Sequence, residues 1–153
     1  MTLNQSARII FSCIIFYLFF FIPANLESAT DIVFIANKNV GADTLTQTDI
    51  KNIFLGVMRK WPDQKKINFA VLNINSQDVA VHETFTKKYT HKTTGQFQRY
   101  WRNQLFTGNQ KMPPICRNEK EMIRFVESQD GAIGYVSSSA PIQNVKVITV
   151  TEK

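Results

Sequence analysis

The chain has 153 residues, 44% of them hydrophobic, and 18 Lys and Arg against 12 Asp and Glu give it a net charge of +6. This is the length of one ordinary domain, and the basic residues are spread along it rather than blocked, which favours a solvated basic surface over a nucleic-acid groove. Two cysteines (Cys13 and Cys116) and two histidines (His82 and His91, nine apart) supply neither a disulfide framework nor a recognised metal-ligand spacing.

The N-terminus reads as an address. Arg8 precedes an almost unbroken apolar run from Ile9 to Ile22, and Pro23, Ala24, Ser28 and Ala29 then supply a break and small residues. The run is shorter than the roughly 17–25 residues of an ordinary membrane span and has the layout of a secretory signal. We therefore expect a signal peptide over residues 1–29, with cleavage after Ala24, Ser28 or Thr30, and one domain over residues 30–153; the alternative is an uncleaved anchor. Cys13 lies inside the apolar run and is not read as lipid-modified. Loss of Arg8 and Glu27 leaves 17 basic and 11 acidic residues, so the net charge stays +6. Cys116 is then the one remaining cysteine, expected as a small buried apolar side chain.

Ile32 to Ala36 (IVFIA) is short, β-branched and apolar, which suits a buried strand. Thr46-x-x-Asp49 resembles a capping box, followed at helical spacing by Ile50, Ile53, Phe54 and Val57, with Gly56 placed to end the helix. Lys65 to Ile74 reads as a second strand, and a helix is expected from about Gln77 to Tyr89. Thr93-x-x-Gln96 is a second capping box, opening a helix with Phe97, Trp101 and Leu105 four residues apart. Arg99 and Arg102 alternate with these aromatics, yet the spacing marks Phe97 and Trp101 as a core stripe rather than a base-stacking platform. After Pro113-Pro114, Asn118 caps a helix with Met122, Phe125 and Val126 inward, and Ala132 to Val136 and Val145 to Val150 read as strands. The order predicts a mixed α/β domain with a largely parallel sheet flanked by helices. Its core should include Ile53, Phe54, Phe85, Trp101, Phe125 and Ile133.

Two stretches go beyond pattern. LTQTDIKNIFLGVMRKWPDQKKI (Leu45 to Ile67) resembles a segment of the phosphate-type periplasmic substrate-binding proteins, with Ile53, Phe54, Leu55, Gly56 and Trp61 at matching places. DGAIGYVSS (Asp130 to Ser138) is similar to the same family's late strand, and FTG (Phe106 to Gly108) to its short relatives. The resemblance implies a type II periplasmic-binding fold, a periplasmic or otherwise extracytoplasmic location, capture of a small anion such as phosphate, and delivery to an ABC importer. The mature chain has the length of a single lobe.

The anion-binding loop of that family falls on the stretch before Phe85. Its Gly, Ser and Gly/Pro positions land on Asp78, Val79 and Ala80, where there is no hydroxyl and one carboxylate that repels phosphate. No arginine lies between Lys66 and Arg99, so a bidentate clamp is missing from the loop. The neutral donors left are Asn75, Ser76, Gln77 and His82, which we take as the candidate ligand-binding residues; in the alternative, Asn75 and Ser76 cap the helix, Gln77 is a solvated first-turn residue and His82 lies at the surface. The reading that follows is an exported solute-binding-like protein with a weakened or altered anion site. Its rival is a non-transport extracytoplasmic module that binds a protein partner on the same fold. Partners are then a small anion and an ABC permease or other extracytoplasmic protein, with no nucleic acid. No nucleophile elbow or metal spacing is present, so neither enzyme activity, metal nor cofactor is expected. Intact-mass measurement of exported material should show a chain short of roughly its first 24–30 residues, the layout of a cleaved signal; full-length protein in the membrane fraction would mean an anchor.

Overall fold

A computed structural model describes residues 30–152, so the expected signal segment lies outside the described residues. In chain order the elements are β1 (Ile32–Ala36), β2 (Thr44–Thr46), α1 (Gln47–Phe54), β3 (Asn68–Phe69), β4 (Val71–Leu72), α2 (Val79–Phe85) running on into a π-helical turn (Thr86–Thr90), α3 (Thr94–Phe106), β5 (Ile115–Cys116), α4 (Glu119–Ser128), β6 (Ala132–Ser137) and β7 (Lys146–Thr151). The main sheet has the order β2-β7-β1-β6-β3. β1 is antiparallel to both neighbours, with Phe34 opposite Tyr135 and Ile148, while β2 runs parallel to β7 and β3 parallel to β6. Four strands therefore share one direction and the central strand is reversed, which makes the sheet mixed, with two parallel and two antiparallel pairings.

Local chemistry sets the helix starts. The Thr46 hydroxyl accepts from the Asp49 N–H at 3.1 Å and the Asp49 carboxylate accepts from the Thr46 N–H at 2.9 Å. Thr93 and Gln96 make the same reciprocal pair at 3.2 and 2.9 Å, and Asn118 Oδ1 accepts from the Glu121 N–H at 2.9 Å. Each satisfies helix-end donors that would otherwise lack partners. At the other end of α1, Gly56 has φ +69°, and the Gln110 side chain occupies the space a Cβ would need.

Successive residues of β6 show why all six are buried. Tyr135 stacks on Phe85 of α2 at 3.8 Å between ring centroids, whereas a Cβ on Gly134 would fall 2.5 Å from Met122 Sδ of α4. Helices cover both faces, and alternation sends neighbouring side chains to opposite sides. Phe34 of β1 meets Tyr89 at 4.7 Å, and Phe54 of α1 meets Phe85 at 4.7 Å, extending the aromatic core. Ile53, Phe54, Phe85, Trp101 and Ile133 are buried as expected, and Phe125 is partly buried against them.

Several expectations need correction. The strand expected over Lys65 to Ile74 is two short strands broken at Ala70: β3 stays in the main sheet, and β4 leaves it to pair in parallel with β5. The helix expected from Gln77 begins at Val79, and its last turn is π-helical, closed by His91 at φ 54°. Val57 and Leu105 are 67% and 47% exposed rather than on the core stripe. Gly56 turns the chain away before Val57, and Leu105 lies in the last turn of α3 at the wall of a surface cleft. Trp101, at 2% exposure, tests the packing. Trp101→Ala should lower stability by about 3–5 kcal/mol, read as a shifted denaturant midpoint; an unchanged midpoint would place the aromatic stripe in solvent.

Candidate functional site

The loop from Asn73 to Asp78 carries the chain from β4 to α2. Its short polar residues bond to one another: the Asn75 N–H donates to Asn73 Oδ1 at 2.9 Å, and the Ser76 hydroxyl donates to the Asn73 carbonyl at 2.7 Å. The Ser76 carbonyl in turn accepts from the Val79 N–H at 3.3 Å. The structure thus brings Asn75, Ser76 and Gln77 into one turn, with Asn75 and Gln77 exposed and Ser76 half-buried. The position that caps α2 is Asp78, not Asn75 or Ser76, and its side chain makes no bond to its own helix.

The Asp78 carboxylate crosses to the next helix instead. Its Oδ2 accepts from the backbone N–H of Glu119, the first residue of α4, at 2.9 Å. Glu119 repeats the manoeuvre: its carboxylate accepts from the backbone N–H and from the hydroxyl of Ser137 at the end of β6, the latter at 3.2 Å. Ser137 Oγ lies 3.0 Å from Ser139 Oγ. Two helix N-termini, a strand end and two serine hydroxyls therefore converge. Such N–H and O–H donors suit an anion, and two of the chain's own carboxylates already take the Glu119 N–H and the Ser137 N–H and hydroxyl. Sequence reading missed Glu119 and Ser137. The signal was present in part, since Ser137 lies within the quoted DGAIGYVSS stretch and Asn118 marks the helix start.

His82 stands apart from the loop. It is 1% exposed, not a surface residue. Its Nδ1 lies 2.6 Å from the Tyr135 hydroxyl, which also accepts from the Leu72 N–H at 3.1 Å. One hydroxyl thus bonds both the Leu72 backbone and the His82 ring. Burial drives the His82 pKa down to about 4 and the Tyr135 phenol well above its ordinary range. The ring also borders an apolar cavity of about 70 Å³ beside Leu72, Phe97 and Trp101. Cys116 is buried as expected, and desolvation, with a smaller push from Glu121, raises its thiol to about 11, which leaves it unreactive. Among the described residues there is no cluster of metal-ligating side chains, and no helix is long and apolar enough to cross a membrane.

A family profile described as a PBP superfamily domain matches residues 29–152. The chain belongs to that superfamily. The PBP domain is similar in fold to an ABC-type phosphate transport receptor from Vibrio cholerae (TM-score 0.60, 15% identity, covering 78% of this chain and 45% of that one). It is also similar to PstS from Borrelia burgdorferi (TM-score 0.58, 15% identity, 78% and 47%) and to a phosphate-binding protein from Stenotrophomonas maltophilia (TM-score 0.58, 18% identity, 80% and 39%). It spans less than half the length of each, as one lobe. No curated protein sequence matches it.

The His82–Tyr135 pair makes a pH prediction. With the folded pKa near 4 and the ordinary histidine value 6.5, the unfolded chain binds a proton between those values that the folded chain refuses. Stability should therefore fall as pH drops from about 6.5 to about 4 and level off below, a loss on the order of 3 kcal/mol. Chemical denaturation across this range measures it. His82→Gln should flatten that limb of the profile, and a slope unchanged in the variant would assign it to other groups.

Proposed function

We propose that this PBP domain is an exported, extracytoplasmic solute-binding-like protein whose anion site is weakened by its own side chains, and that it is not an enzyme. The reading is supported by the family and by the position of the Glu119 carboxylate on the Ser137 N–H and hydroxyl. In this reading the ligand is a small anion such as phosphate, met by Asn75, Ser76 and Gln77 at the mouth of the loop. His82 supports the loop from within through Tyr135 and Leu72. An ABC permease or another extracytoplasmic protein is the partner.

Magnitudes decide how weak the site is. A helix N-terminus offers an anion about 0.3–1 kcal/mol, up to about 2 in the best geometry. Millimolar binding already needs about 4 kcal/mol. A carboxylate about 4 Å from the anion opposes it by about 4 kcal/mol at an effective dielectric constant near 20. Asp78 and Glu119 are thus enough to cancel what the converging donors provide.

The second reading, a module that binds a protein partner, is favoured by one observation. Phe106 at the end of α3 is 81% exposed, and Leu105 beside it 47%. Exposed large apolar side chains grouped together mark interaction surfaces.

Calorimetry with phosphate and sulfate separates these readings. The unmodified protein should bind phosphate no tighter than about tens of micromolar, roughly 6 kcal/mol. Asp78→Asn combined with Glu119→Gln keeps acceptors for the Glu119 and Ser137 N–H groups, removes both charges, and should strengthen binding about tenfold or more, or 1.4 kcal/mol per decade. Submicromolar binding by the unmodified protein would overturn the weakened site. Silence from both forms would favour the partner-binding module.

A further inference from the structure

A second concavity lies at the far end of the lobe from Ser137. It is a cleft of about 820 Å³ beside the start of β3 and the last turn of α4, lined at those elements by Asn68, Phe69, Phe125 and Gln129. α4 runs between the two places, its N-terminus at Glu119 and its last turn at the cleft, about 15 Å apart at the rise of an α-helix. The charged residues lining the cleft are Arg59, Lys66 and Lys111, with no Asp or Glu among them. None of the three makes an ion pair among the described residues.

Backbone contacts draw these cations onto one rim. The Gly56 carbonyl accepts from Arg59 Nε at 3.0 Å and from Gln110 Nε2 at 3.2 Å, which holds Arg59 next to the neighbour of Lys111. The Arg59 carbonyl accepts from the Ile67 N–H at 2.9 Å, which holds Arg59 next to the neighbour of Lys66. The lining also includes the apolar side chains of Phe69, Trp101, Leu105 and Met112. Trp101 adds a buried indole N–H that has no acceptor among the described residues.

We propose that this cleft binds a small organic anion, a molecule with an apolar ring or chain and one carboxylate or sulfonate group. The volume lies within the roughly 300–1,000 Å³ of small-molecule sites, which are mostly apolar with a few placed polar groups. An inorganic anion would leave the apolar lining unused. A nucleic acid would need exposed aromatic faces for stacking, and Trp101 is 2% exposed. The anionic group sits among Arg59, Lys66 and Lys111, and the apolar body lies against Phe69 and Leu105. This goes beyond the weakened phosphate site, which lies at the other end of α4 and uses none of these residues.

The test is fluorescence titration of the protein with anilinonaphthalene sulfonate, which joins an aromatic body to one sulfonate. One saturable site should appear, displaced by naphthoate and not by phosphate. Lys66→Gln with Lys111→Gln should weaken it roughly tenfold or more, the effect of losing at least one charge-assisted contact. These side chains are exposed, and an unchanged thermal melt would show that the variant is folded. Asp78→Asn with Glu119→Gln should leave probe binding unchanged, so failure here and failure of the phosphate reading are distinguishable. Equal binding of uncharged phenylnaphthylamine, insensitivity to the lysine changes, or absence of a saturable site would each overturn the proposal.

Discussion

The hydroxyl of Tyr135 is the contact on which the geometry of this lobe turns. When the chain steps out of the main sheet at Ala70, β4 pairs with β5 and no longer with the strands beside it. The Leu72 N–H then needs an acceptor inside the protein, since a buried backbone donor without one costs about 1–3 kcal/mol. Tyr135 supplies it from β6 and hydrogen-bonds His82 of α2 through the same hydroxyl. One phenol oxygen thereby ties a strand that has left the sheet, an inner strand of that sheet and the helix that follows the loop. The loop from Asn73 to Asp78 lies between two of those attachments, so its position follows from them.

This dependence explains what could be read in the sequence. Thr46 with Asp49, Thr93 with Gln96 and Asn118 with Glu121 act over three residues, and all three helix starts were legible. The core strands were legible from apolar β-branched runs, and the aromatic core from helical spacing. β2 and β5 were not, because three- and two-residue strands have no periodicity to read and exist only through their pairings. The break at Ala70 was hidden for the same reason. His82 reads as a surface residue in isolation, and its partner stands 53 positions away.

The candidate site divides along the same line. The chemical poverty of the loop, with Asp78, Val79 and Ala80 where the resemblance implies glycine and serine, was visible residue by residue. That Asp78 caps another helix was not, since 41 positions separate it from Glu119. Nor was the engagement of Ser137 by Glu119 across 18 positions. Sequence reading treated Asp78 as a repulsive charge only. The structure gives it a second role as the N-terminal acceptor of α4, which accounts for a carboxylate at a place unfavourable to phosphate.

Net charge is a poor guide to where such a molecule meets an anion. A chain with a charge of +6 keeps two carboxylates at its two converging helix N-termini, where the backbone would attract an anion most. Three of its cations, Arg59, Lys66 and Lys111, line instead the cleft beyond the C-terminal end of α4, where the helix dipole disfavours anions by a few tenths to about 1 kcal/mol. Three cations outweigh that term easily, whereas at the other end two fixed carboxylates outweigh the dipole in the opposite sense. Side-chain charge thus reverses at both ends of α4 the preference its backbone sets. The helix positions the groups, and the side chains decide which end attracts an anion.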